Sequence, residues 1–256
     1  MRLGDYLELL AVDVAFWLSG IKSPDYPMES LGNVSIEVSE KLRTVAIIQL
    51  LVQAESDLFR HNLIRSGVVW EEYLIRCRAD QRVDDHHCVS GRLEPFFDPV
   101  AGGDLALASR IGALLPGEWQ RGREYEDDYC YAQILHRWVR VTPPEEEIPA
   151  VLDRFEAYLE SRPSARLAVC RALAVRDQRA FDEAFDALLE ERGAQIEADK
   201  VRGQLEEAPI VAQRQVFIEG LAVLRIAQAR GLVTRADYVF CPSLARVPMR
   251  MPFPGE

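Results

Sequence analysis

Histidine, cysteine and aspartate stand side by side at Asp84-Asp85-His86-His87-Cys88. All three side chains are ligands for first-row metals. Side chains of adjacent residues rarely converge on one ion, however, and no second ligand pair stands elsewhere at metal-site spacing. The cluster therefore reads as a polar loop, and neither a metal nor another cofactor is expected. His61 and His136 are isolated on helical stretches. Cys130 and His136 are six residues apart, which is not one helix face, so they do not form a nucleophile and its base. No G-x-S-x-G elbow and no glycine-rich phosphate loop occur. No catalytic residue is assigned.

The run Glu124-Tyr125-Glu126-Asp127-Asp128-Tyr129 offers different chemistry. Carboxylates at the start of a helix are favoured by the macrodipole. Interleaved with tyrosine, they also suit a surface that meets arginine or lysine on another protein. These six are the candidate partner-binding residues. Glu145-Glu146-Glu147 repeats the acidity at the next helix start, where Thr142-Pro143-Pro144-Glu145 reads as a capping box. Trp17, Trp70 and Trp138 fall within apolar stripes and are assigned to the core. Trp119 lies in a loop and is expected to fold back onto the body.

The elements that must position these groups have one period. Apolar residues recur at three- and four-residue intervals through most of the chain. Leu3, Leu7, Leu10, Val14 and Trp17 form the first stripe, closed by Gly20; residues 25–33 read as a loop. Ser35 is expected to cap one long helix over 36–66 that stops at Gly67, followed by a shorter helix over 68–79. Residues 80–99 have weak periodicity and read as connection. Helices are expected over 105–115 and 125–139, then over 148–159, 165–175, 181–200 and 210–229, with Pro163, Asp177 and Pro209 marking starts and Gly231 the last stop. Short connections imply antiparallel neighbours. The expected fold is all-α, an array of helical hairpins without strict sequence repeat, ending in an extended proline-rich tail after Tyr238. A single elongated domain over 1–256 is expected, divisible into halves at 1–141 and 142–256.

Composition narrows the function. The chain has 256 residues, 48% hydrophobic and 28% charged, the balance of a folded globular protein. Its net charge is -11, from 41 acidic against 30 basic residues, which disfavours nucleic acid and anionic lipid and suits a basic protein partner. Five widely spaced cysteines with no C-x-x-C indicate neither a disulfide framework nor structural zinc. Residues 7–18 are broken by Glu8 and Asp13 and do not form a signal peptide. No run approaches the ~20 apolar residues of a membrane span. A cytoplasmic location is expected.

Three stretches in succession carry a resemblance: Asp104-Leu-Ala-Leu-Ala-Ser-Arg-Ile-Gly-Ala-Leu followed by Glu124-Tyr-Glu-Asp-Asp-Tyr-Cys-Tyr-Ala; Ala168-Val-Cys-Arg-Ala-Leu-Ala-Val-Arg-Asp177 running into Phe181-Asp-Glu-Ala-Phe-Asp-Ala-Leu-Leu; and Gly220-Leu-Ala-Val-Leu-Arg-Ile-Ala-Gln-Ala-Arg-Gly231. In order and content they resemble the immunity-49 family of bacterial polymorphic-toxin immunity proteins, over residues 40 to 245 or so. The resemblance implies a helical protein that binds and neutralises a cognate secreted toxin, with no catalytic residues to carry over. The alternatives are a helical scaffold or adaptor unconnected with toxins and, from a different class, a metalloenzyme built on Asp84 to Cys88.

Overall fold

The computed structural model describes residues 3–82, 85–202 and 208–254. Helices α1 (Leu3–Ile21), α2 (Met28–Ile48), α3 (Ser56–Ala79), α4 (Glu94–Gly102), α5 (Leu105–Leu114) and α6 (Glu126–Trp138) are followed by α7 (Ile148–Leu159), α8 (Ala165–Val175), α9 (Gln178–Val201), α10 (Ala208–Gln215) and α11 (Ile218–Ala229). No strand occurs among the described residues, so the chain is all-α. Consecutive helices pack in pairs, α2 on α3, α6 on α7 and α8 on α9. No described helix is long and apolar enough to cross a membrane.

Helix α3 is the hub. It packs on α2, α4 and α5, and α11 returns to cover α4. Phe59, Leu63, Trp70, Tyr73 and Leu74 are buried along its length. The helix expected over 36–66 is in fact two. Helix α2 ends at Ile48, one π-helical turn spans Gln49–Gln53, and Ala54 turns left-handed with φ 55°. Leu50, Leu51 and Val52 keep the apolar pattern through the turn, so periodicity did not register the reversal. The reversal lets α3 fold back on α2. Gly67 ends no helix: it sits within α3, where a Cβ would meet Pro99 Cγ at 2.8 Å and Leu107 Cδ2 at 3.0 Å. Its lack of a side chain permits the close approach of α4 and α5. Ser35, expected as a cap, is buried inside α2, which starts within the expected loop.

Residues 80–99, read as connection, contain most of α4. This helix begins with a proline in its first turn, and Pro95 through Gly102 are all buried before Gly103 ends it at φ 95°. A nine-residue helix with Pro95 and Pro99 in it and an aspartate buried among its apolar residues is too short and too interrupted for a helical period to register. The capping box at Thr142 also does not form. Glu145–Glu147 make a 3-10 turn with no side-chain cap, and the Glu145 carboxylate instead accepts from Arg230 Nη1 and Nη2 at 2.7 and 3.1 Å. Local caps do form elsewhere: Asp104, Ser164 and Asp177 accept from Leu107 N, Leu167 N and Ala180 N at 2.8, 3.3 and 3.0 Å.

The helix expected over 210–229 breaks at Val216-Phe217, where Phe217 N donates to Phe240 O at 2.8 Å. Gly220 leaves room beside that break for Cys241, whose Sγ would lie 2.7 Å from a Cβ. Beyond it the tail is an extended strap on α3. Asp57 accepts from the backbone N–H groups of Arg250 and Met251 at 3.0 and 3.2 Å. His61 Nε2 hydrogen-bonds to the Met251 carbonyl at 3.0 Å.

Candidate functional site

The acidic run begins in the loop before α6 and continues through its first turn. Tyr125 stands at the N-cap in extended conformation without a side-chain cap, and Glu126, Asp127 and Asp128 occupy the first turn, where the free N–H groups favour negative charge. The six predicted residues share one short segment but divide in their environment.

Glu124 faces inward. Its carboxylate accepts from Gly91 N at 2.6 Å and from Gln120 N at 3.0 Å, tying two loops together. Burial pushes its pKa above the ordinary value, and the two backbone hydrogen bonds oppose the rise. Tyr129 is buried, and its hydroxyl donates to Gly117 O at 2.7 Å. Trp119 Nε1 donates to Glu124 O at 3.3 Å, so the loop tryptophan does fold back onto the body. Tyr125 points outward and is 73% exposed. Asp127 is half-buried.

Two arginines that the sequence did not single out complete this surface. Arg154 of α7 donates to Glu126 Oε1 at 2.6 Å, with its guanidinium over the rings of Trp119 and Tyr129 at 5.4 and 5.0 Å. Arg166 of α8 forks onto Glu219 of α11 with two bonds of 2.8 Å and reaches Asp128 Oδ1 at 3.0 Å. Burial raises the pKa of Asp128, against the pull of Arg166. The partners are 28, 38 and 53 residues apart in sequence, so no local spacing could have revealed them.

Asp128 and Arg166 also form one wall of a cleft of about 330 Å³, where Arg43, Glu94, Arg192 and Glu219 complete the charged lining. The deep end is closed by a buried fork: Arg43 Nε and Nη2 donate to Asp98 Oδ1 and Oδ2 at 2.7 and 2.9 Å. In the same lining, Arg192 Nη2 donates to Gln213 O at 3.0 Å. Alternating charge around a polar cleft fits recognition of a charged group on a ligand or partner. It contains no nucleophile held against a base.

The residues weighed for catalysis lie elsewhere. His136 packs edge-on against Phe96 at 4.5 Å, with neither ring nitrogen hydrogen-bonded. Burial lowers its pKa to about 3, so the ring is neutral. Cys130 is buried and its thiol is pushed up to about 12 by desolvation. Asp85, His86 and His87 bring donor atoms within 4.8 Å of one another, closer than adjacency suggested. Asp85 already accepts from His87 N at 2.9 Å and His87 Nε2 is engaged with Asn33 Oδ1 at 3.0 Å. Those donors shape the turn. Asp84, the first member of that cluster, lies outside the described residues.

Comparison with known proteins adds one match. The model of the family described as immunity protein 49 matches residues 40–244, about four-fifths of the chain. The matched region takes in the C-terminal part of α2, all of α3 to α11, the acidic run and the charged cleft. No curated protein and no solved structure matches. The chain belongs to the immunity protein 49 family.

Proposed function

We propose that this protein binds and neutralises a secreted bacterial toxin in the cytoplasm of the cell that makes both, by forming a stoichiometric complex rather than by catalysis. The observation that carries the reading is the family match over residues 40–244. The net charge of -11 supports it as well, because an acidic inhibitor is steered towards a basic target.

We assign the partner-facing surface to the start of α6. Tyr125 is its exposed group, Asp127 is half-buried beside it, and Glu126 and Asp128 are carboxylates whose arginine partners are themselves part-exposed. Glu124 and Tyr129 belong to the same surface as its support, since they hold the loop that presents the others. An exposed tyrosine ringed by charge is the kind of anchor that dominates interface energetics. Useful immunity calls for nanomolar binding, about -12 kcal/mol, within reach of an interface of roughly 1,600 Å².

The test is co-purification of the tagged chain with an inactive copy of the toxin encoded beside it. A one-to-one complex that survives salt, together with rescue of cells expressing the active toxin, is the expected result. Two folded proteins that do not associate, with no rescue, would overturn the reading in favour of a helical adaptor.

A further inference from the structure

Cys77 and Cys88 are the two cysteines that the partner-binding reading leaves unused and that the fold brings into contact. Cys77 lies in the last turns of α3, and Cys88 in the loop before α4. Both border one cavity, and each thiol shifts the other's proton affinity. The Tyr73 hydroxyl accepts from Cys88 Sγ at 3.4 Å and also contacts Cys77 and Asp85. All five cysteines are free thiols. Cys130, Cys170 and Cys241 are sealed in the core at 0% exposure. Cys77 and Cys88 are also buried, at 2% and 5% exposure, but they border a cavity of about 670 Å³ together with Leu74, Arg78, Gln81 and Gln120.

The two sulfurs are electronically unlike. The neighbouring Cys88 thiol holds the Cys77 thiol below its ordinary value, with the Tyr73 contact adding to it against burial. Cys88 is pushed the other way, by Cys77 and by burial. Two interacting thiols that border one cavity, the first with its proton held less tightly than the second, are the arrangement of a reactive dithiol.

We propose that Cys77 and Cys88 form a redox-active pair, oxidised to an intramolecular disulfide by a small disulfide of the glutathione class that enters the adjacent cavity. The Cys77 thiolate attacks one sulfur of oxidised glutathione. The glutathione S–S bond breaks, a mixed disulfide forms on Cys77, and the first glutathione thiolate leaves and takes up a proton from solvent. Cys88 then loses its proton to solvent and attacks Cys77 Sγ, expelling the second glutathione thiolate. The two protein thiols have been oxidised to one disulfide, and the glutathione disulfide has been reduced to two thiols. The product staples the end of α3 to the loop carrying Gly91, whose N–H holds Glu124.

The experiment treats the folded full-length chain with oxidised glutathione, blocks the remaining thiols and maps disulfides in the unreduced digest. The expected result is a linked pair of peptides containing Cys77 and Cys88, with Cys130, Cys170 and Cys241 still free. In Cys88→Ser the reaction stops at glutathione bound to Cys77, and in Cys77→Ser no internal disulfide forms. A different pairing, glutathione persisting on Cys77 of the unsubstituted chain with Cys88 free, or no reaction of the folded chain while the urea-unfolded chain reacts, would each overturn the proposal. Mapping of the unsubstituted chain decides the matter even where a variant fails to fold.

Discussion

Arginine meets carboxylate at both ends of the charged cleft, with opposite consequences. At the deep end Arg43 forks onto Asp98, whose side chain is 0% exposed, with Ser66 Oγ donating to the same carboxylate. At the open end Arg166 forks onto Glu219 and touches Asp128, and water still reaches the guanidinium. The chemistry is the same and the solvation differs. A pair removed from water is costly to form and more costly to leave half-made, so the deep end is committed to structure. Water reaches the Arg166 guanidinium and Asp128, while Glu219 is 11% exposed, so this network is partly screened and less committed to the fold than the buried fork.

The sharpest way to break this contrast is Asp98→Ala. It strands a buried guanidinium and is expected to destabilise the fold by about 3–5 kcal/mol in urea denaturation. Adding Arg43→Met should restore much of that loss, because the stranded charge goes with it. A loss below 1 kcal/mol for the single variant would mean that the deep end behaves like a surface pair.

A second test uses His136, next to Phe96 in the same closed region. Its pKa is lowered to about 3 by burial, so on acidification the unfolded chain takes up a proton that the folded chain refuses. Stability contributed by this site is full above the unfolded value of ~6.5 and falls as pH drops towards the folded value, by up to about 1.4 kcal/mol per pH unit. His136→Phe should flatten that slope in stability measured from pH 7 to 4. A slope equal to that of the unsubstituted chain would remove His136 from the account.

At the open end the effects shrink. Arg166→Met should cost about 1–3 kcal/mol of stability, less than Asp98→Ala, because Glu219 loses its partner at 11% exposure while Asp128 is reached by water. Replacing Glu126 and Asp127 together by lysine should leave the melting temperature within a few degrees, yet slow association with the toxin and weaken its salt dependence. Tyr125→Ala should shift stability least, within ~0.5 kcal/mol, while weakening the complex about tenfold as an anchor residue does. Unchanged association kinetics in these variants would move the partner-facing surface away from α6.

Much of the fold was legible in the residues, and the reasons for the misses are local. The start at Asp177, whose side chain caps α9, and the stop at Gly231, which has φ 89°, involve groups within a turn of one another. The reversal at Ala54 was hidden because a π-helical turn carries the apolar pattern through. Helix α4 was hidden because it is nine residues long and carries Pro95 and Pro99. Of the candidate site, the sequence supplied the carboxylates but not Arg154 or Arg166, and it could not separate the inward Glu124 from the outward Tyr125.

By itself, then, the sequence determined that this chain is helical, acidic and made of amphipathic segments in a particular order, with an acidic run at the start of one helix. Those properties follow from the 3.6-residue period, from capping within a turn and from summed charge. The tertiary structure decided which carboxylates are committed to holding the fold and which face outward, and which cysteines meet. Arg166 finds Glu219 across 53 residues and Asp57 holds the tail across 193. Contacts at such separations leave no local pattern, because they are selected by the joint packing of helices that no single segment specifies.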